Sequence, residues 1–103
     1  MHYDVILSPE AVDDMRKLKA NVRAATRSAI EQHLRYEPTR TSKSRIKRLR
    51  GLSRPQYRLR VDDIRIFYDV TESTVEILAI VSKGEMEEWL EKTGVPNEDR
   101  SSE

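Results

Sequence analysis

The order of apolar and polar positions changes period near residue 45, from helical spacing before it to strict alternation after it. Tyr3 to Leu7 is a short apolar run of strand length. Ser8-Pro9-Glu10 then supplies a capping hydroxyl, a proline suited to the first helical position and an acid at the positive end of the helix dipole. Ala11, Val12, Met15 and Leu18 recur at helical spacing. Asn21 is expected to cap a second helix whose apolar stripe is Val22, Ala25, Ala29, Ile30 and Leu34, and which ends at Glu37-Pro38. A junction of only a couple of residues predicts an antiparallel helical hairpin. Beyond it, Arg45 to Leu49 is a weak strand before Gly51, and Gln56 to Val61 alternates cleanly. Asp62-Asp63 makes a short turn and Ile64 to Val70 returns. Val75 to Val81 is apolar on both faces except at Glu76, the pattern of a central strand covered on both sides. Ser82 caps a last helix through Trp89 and Leu90. The expected fold class is α+β: an N-terminal helical hairpin packed on a small, mainly antiparallel sheet, with a short C-terminal helix at its edge. Residues 1–92 read as a single domain, and residues 93–103, with Gly94 and Pro96, as a polar tail expected to be disordered.

Composition narrows the classes of function. With 103 residues, 37% hydrophobic and 36% charged, the chain can bury one core but not two. No apolar run approaches the ~20 residues that cross a bilayer, and the first residues lack the basic start and apolar stretch of a signal peptide. The absence of cysteine excludes disulfides, a thiolate zinc site and a cysteine nucleophile, and fits a cytoplasmic location. His2 and His33 stand far apart without carboxylates at ligand spacing, so neither a metal nor another cofactor is expected; His33 reads as a helix-surface residue.

Net charge of +1 conceals a sharp division. Residues 40–65 carry ten basic side chains against Asp62 and Asp63, whereas residues 66–103 carry three basic and ten acidic ones. A basic middle of that density is the footprint of a polyanion partner.

Within it, a two- or four-residue loop at Asp62-Asp63 would set Arg60 opposite Arg65 and Arg58 opposite Phe67. Arg58, Arg60, Arg65 and Phe67 would then share one face, with Tyr57, Leu59, Ile66 and Tyr68 on the core side. Facing like charges destabilise a sheet, so folding alone does not select this pair. A phosphate held between the two planar forks reverses the sign, and Phe67 would offer a base a surface for stacking. A solvated polar face is the plainer alternative, since alternation by itself puts polar residues there. Lys43, Arg45, Lys47, Arg48 and Arg50 read either as phosphate-backbone contacts or as an edge strand guarded by charge. Trp89 and Leu90 read as the anchor of the last helix.

Taken together, Tyr3-Asp4-Val5-Ile6-Leu7-Ser8-Pro9-Glu10-Ala11, Leu49-Arg50-Gly51-Leu52, Tyr57-Arg58-Leu59-Arg60-Val61, Ile64-Arg65-Ile66-Phe67-Tyr68 and Val75-Glu76-Ile77-Leu78-Ala79-Ile80 resemble the RelE/ParE family of type II toxin–antitoxin toxins, nearest its RelE-like branch. The resemblance spans residues 3 to about 90. It implies a microbial ribonuclease-like fold, a cognate antitoxin that wraps the basic face, and operator DNA bound only through the antitoxin complex. It further implies entry into the ribosomal A site and metal-independent cleavage of mRNA, with the messenger's 2′-hydroxyl attacking the adjacent phosphate. Arg58, Arg60 and Arg65 match the family's phosphate-stabilising positions. Lys83 follows the last strand, but Gly84 stands where an arginine is expected and Trp89-Leu90 where a tyrosine or histidine assists. Two other functions follow from the same resemblance: a ParE-like inhibitor of DNA gyrase, and a non-toxic member that acts only in an antitoxin complex.

Overall fold

A computed structural model describes residues 2–97. Strand β1 (Asp4–Leu7) leads into helix α1 (Pro9–Lys17), where the Ser8 hydroxyl oxygen accepts from the Ala11 N–H at 3.1 Å and Pro9 occupies the first turn. Helix α2 (Ala20–Ala29) continues without a break into a π-helical turn (Ile30–Leu34). Strands β2 (Ile46–Arg48), β3 (Leu52–Arg54), β4 (Tyr57–Val61), β5 (Ile64–Val70) and β6 (Thr74–Ser82) follow. A 3₁₀ turn (Lys83–Glu85), helix α3 (Met86–Thr93) and the short strand β7 (Val95–Pro96) close the described chain.

The main sheet has five strands in the order β1-β6-β5-β4-β2, antiparallel except for the parallel β1/β6 pair. The α+β class and the mainly antiparallel sheet thus match the sequence pattern. One face packs Leu59, Ile66, Tyr68, Ile77 and Ile80 against Ala11, Met15, Ile30 and Leu34 of the helices. Burial of such side chains, at ~25 cal/mol per Å² of apolar surface, is the main force holding hairpin to sheet. The opposite face is covered by α3, whose Trp89 ring stacks on Phe67 at 4.9 Å and 6°. Strand β6 is therefore central and covered on both sides, as its apolar run predicts.

Four details depart from the sequence pattern. Helix α2 begins at Ala20 behind Lys19, which makes no side-chain cap, and Asn21 lies inside the first turn. The junction is tied instead by Arg23, whose guanidinium donates to the Met15, Arg16 and Leu18 carbonyls and so satisfies the open end of α1. Thr26, not Ala25, is the buried member of the α2 stripe, in line with Ile30 and Leu34 at steps of four. The outer edge of β6 is only partly paired by β1. Beyond it, Ser8 Oγ donates to the Leu78 carbonyl at 2.9 Å and Asp14 Oδ2 accepts from the Ile80 N–H at 2.9 Å, so α1 finishes the edge in place of a strand. Finally, the segment from Thr93 is not irregular throughout: Thr93 ends α3, and Val95–Pro96 pair with Leu52–Arg54 in a second, two-stranded sheet. Gly94 makes that return possible, since a Cβ there would stand 2.6 Å from the Leu90 carbonyl oxygen. The rest of the expected tail, residues 98–103, lies outside the described residues.

Candidate functional site

The β4/β5 hairpin has the two-residue turn at Asp62-Asp63, with Val61 paired to Ile64, Arg60 to Arg65 and Arg58 to Phe67. Asp62 takes the left-handed conformation (φ 52°), which an aspartate tolerates better than most residues. Strand β2 extends the pattern, because Lys47 pairs with Arg58 and the Arg60 N–H donates to the Arg45 carbonyl at 2.8 Å. Alternation across these registers puts Arg45, Lys47, Arg58, Arg60 and Arg65 on one side of the sheet.

Their surroundings differ. Arg60 is exposed, Arg58 is half-buried, and Arg65 is only 5% exposed. Arg65 is fixed by its own turn: Nη1 donates to the Asp62 carbonyl at 2.8 Å and to the Ile64 carbonyl at 3.0 Å. The Nε atoms of Arg58 and Arg65 are both buried without a hydrogen-bond partner. A buried N–H left without a partner is costly, and an anion that reaches it relieves the cost. Burial, and secondly the charges of Arg65 and Arg60, push the Arg58 pKa down. At the turn itself, the Lys83 N–H donates to the Asp63 carbonyl at 2.8 Å, which brings the start of the 3₁₀ turn beside the arginine pair.

Other basic candidates are not gathered here. Arg48 lies on the core side, over the Tyr57 ring at 5.1 Å, with Nη1 donating to the Gln56 carbonyl at 3.3 Å. Lys43 and Arg50 sit in the loops flanking β2. Phe67 requires a correction. It lies on the arginine face by register but is 0% exposed, because Trp89 occupies the surface a base would have used. The sequence placed Trp89 on the last helix but carried no signal of which aromatic it would meet. Trp89 Nε1 also donates to Glu10 Oε2 at 2.7 Å, tying α3 to the first turn of α1. Tyr57 and Tyr68 are core, stacked at 5.5 Å; burial raises the Tyr68 pKa, and its hydroxyl donates to the Pro38 carbonyl at 2.7 Å. Asp69, beyond Phe67 on β5, is engaged by the Gln56 N–H at 2.7 Å and by Arg54 Nε at 3.4 Å.

Among the described residues no group of three or more His, Asp or Glu side chains is arranged to hold a metal ion, and no helix is long and apolar enough to cross a membrane.

Residues 5–87 match the family model described as the ParE toxin of the type II toxin–antitoxin system parDE. The chain belongs to this toxin family. Its fold is also that of solved RelE proteins. The toxin–antitoxin complex RelBE2 from Mycobacterium tuberculosis is 26% identical with TM-score 0.66, over 80% of this chain and 99% of that one. The archaeal RelE–RelB complex from Pyrococcus horikoshii is 25% identical with TM-score 0.67, over 82% and 98%. The RelB–RelE complex from Methanococcus jannaschii, at 18% identity and TM-score 0.62, shares the fold. No match is found among curated proteins. The protein is thus a type II toxin of the RelE/ParE kind.

Proposed function

We propose that this toxin stops translation by cleaving mRNA, and that Arg58, Arg60 and Arg65 grip the scissile phosphate. The observation that carries this reading is the facing Arg60–Arg65 pair next to two buried guanidinium Nε atoms without partners. The likeness to RelE structures at 25–26% identity supports it. In the reaction the messenger's 2′-oxygen forms a bond to phosphorus while the bond from phosphorus to the 5′-oxygen breaks. One proton leaves the 2′-hydroxyl and another reaches the departing oxygen. Arginine, with a pKa above ~12, is no base for the first step. Its role is to neutralise charge that builds on the phosphoryl oxygens, and the turn carbonyls hold Arg65 ready for it. Lys83 assists from beside the turn. Lys47 and Arg45 extend the grip along the backbone, and the reaction uses no metal. The working site is a translating ribosome in the cytoplasm, and a cognate antitoxin covers the basic face, as the antitoxin-bound RelE neighbours suggest. Operator DNA is reached only through that complex.

Adding the protein to a translating extract and mapping messenger ends tests this reading. New ends bearing cyclic phosphate are expected, and Arg60→Ala should slow their appearance by about 10²-fold. Intact messenger during arrested growth would overturn it. The match to a ParE model favours one second reading, inhibition of DNA gyrase by protein contact. In that case arrest comes with DNA breaks and filamentation while translation continues.

A further inference from the structure

At the C-terminal end of α2, away from the arginine pair, a pocket of about 220 Å³ opens between the π-helical turn and the loop that enters β2. Its walls are rich in donors: His33, Gln32, Arg40, Thr41, Ser42 and Arg45. Its lining contains one carboxylate, Glu37, and Arg40 Nη1 already donates to both its oxygens, at 3.2 and 3.3 Å. Ser42 Oγ accepts from the Arg45 and Ile46 N–H groups at 2.9 and 3.3 Å, which folds the loop tightly and leaves the hydroxyl proton to donate elsewhere. His33 is carried by the π turn, a local departure from α geometry that recurs at functional sites.

We propose that this pocket is a second phosphate site, which takes a backbone phosphate of the nucleic acid held on the arginine face. Continuity supports the choice of ligand. Arg45 lines the pocket, and its carbonyl accepts from the Arg60 N–H at 2.8 Å, so the pocket begins where the arginine face ends. Strand β2 is the edge of the sheet, and Arg45 at its start borders both that face and the pocket lined by His33. Charge supports it too. Burial, and secondly the Arg45 cation, hold the His33 pKa below its usual value. The groups lining the pocket around His33 are Arg45, Arg40 and the Glu37 carboxylate bound to Arg40. An anion placed between His33 and Arg45 offsets the repulsion and raises the pKa of the ring. Binding therefore tightens as pH falls toward that of the bound imidazole. The inference deepens the RNA reading but requires only that the protein hold nucleic acid, not that it cut it.

The test follows the His33 ring protons by NMR through a pH titration, in inorganic phosphate against chloride and then with a 2′-O-methyl hexaribonucleotide, which has the backbone but no attacking hydroxyl. Phosphate is expected to move the His33 midpoint upward, and the oligonucleotide to do so at lower concentration. Arg45→Gln should weaken the phosphate effect about tenfold. Arg40→Gln, which frees the Glu37 carboxylate without touching the sheet, should weaken it as well. A His33 midpoint that neither ligand moves overturns the site. A shift with phosphate but none with the oligonucleotide makes it a free-anion pocket and overturns the backbone track. Neither result depends on cleavage, so a toxin that fails to cut mRNA leaves the outcome readable.

Discussion

Arg60 and Arg65 face each other across one hairpin, yet they are different kinds of residue. Arg60 is exposed and is not tied down by its own turn, whereas Arg65 is 5% exposed and holds the Asp62 and Ile64 carbonyls. Their replacements should therefore separate. Arg60→Ala is expected to change stability by no more than about 0.5 kcal/mol, while Arg65→Ala should cost about 1–3 kcal/mol by unpairing the turn. Urea denaturation of the two variants measures the difference. Parity alone identified both as face residues, because the period of two in Tyr57 to Val61 fixes which side each takes. It could not tell that one is buried. That depends on what lies above the sheet, and the hairpin's own sequence does not contain it. The same gap misassigned Phe67. Its register was right and its accessibility was decided by Trp89, 22 positions away in sequence.

Two helices cover parts of the sheet that no strand does, one an edge and the other a face. Helix α1 covers the β6 edge through Ser8 and Asp14, a solution hidden from any pattern of apolar residues because both groups are polar. Asp14→Ala leaves the Ile80 N–H unpaired and should cost about 1–3 kcal/mol, whereas Asp14→Asn keeps an acceptor and should cost less. Burial raises the Asp14 pKa above its usual value, with the Ile80 hydrogen bond opposing it. The folded state thus binds this proton more readily than the unfolded chain. Its contribution to stability is full below the unfolded pKa and is lost as pH rises through the folded one. A pH series of denaturation midpoints should show that gain on acidification for the wild type and not for Asp14→Asn. Helix α3 is the second such element. Trp89 is the only tryptophan, so its emission reports directly on the stack with Phe67. Glu10→Gln weakens the acceptor of the indole N–H and should shift that emission to the red with little loss of secondary structure by circular dichroism.

At the scale of the whole molecule, the basic residues sort by face rather than by sequence neighbourhood. Lys47 and Arg48 are adjacent in the chain, yet Lys47 pairs with Arg58 on the arginine face while Arg48 packs over Tyr57 on the other. For binding to single-stranded RNA, each phosphate neutralised contributes about −0.7 to the slope of log K against log salt. Lys47→Ala should therefore make the slope shallower by about that amount, and Arg48→Ala should leave it unchanged. Titrations of an uncleavable oligonucleotide at several salt concentrations check both. Equal effects of the two substitutions would mean that charge density, and not the face, governs binding.

Local sequence determined the helices, the hairpin register, the central strand and the basic middle of the chain, because periodicity, capping and a two-residue turn act over a few residues and leave their mark there. Tertiary structure decided which arginines are buried, that Phe67 is covered, that α1 completes an edge and that His33 meets Arg45. Each of these depends on elements distant in the chain coming together, and a surface that another element covers is chosen by packing, not by the residues that form it.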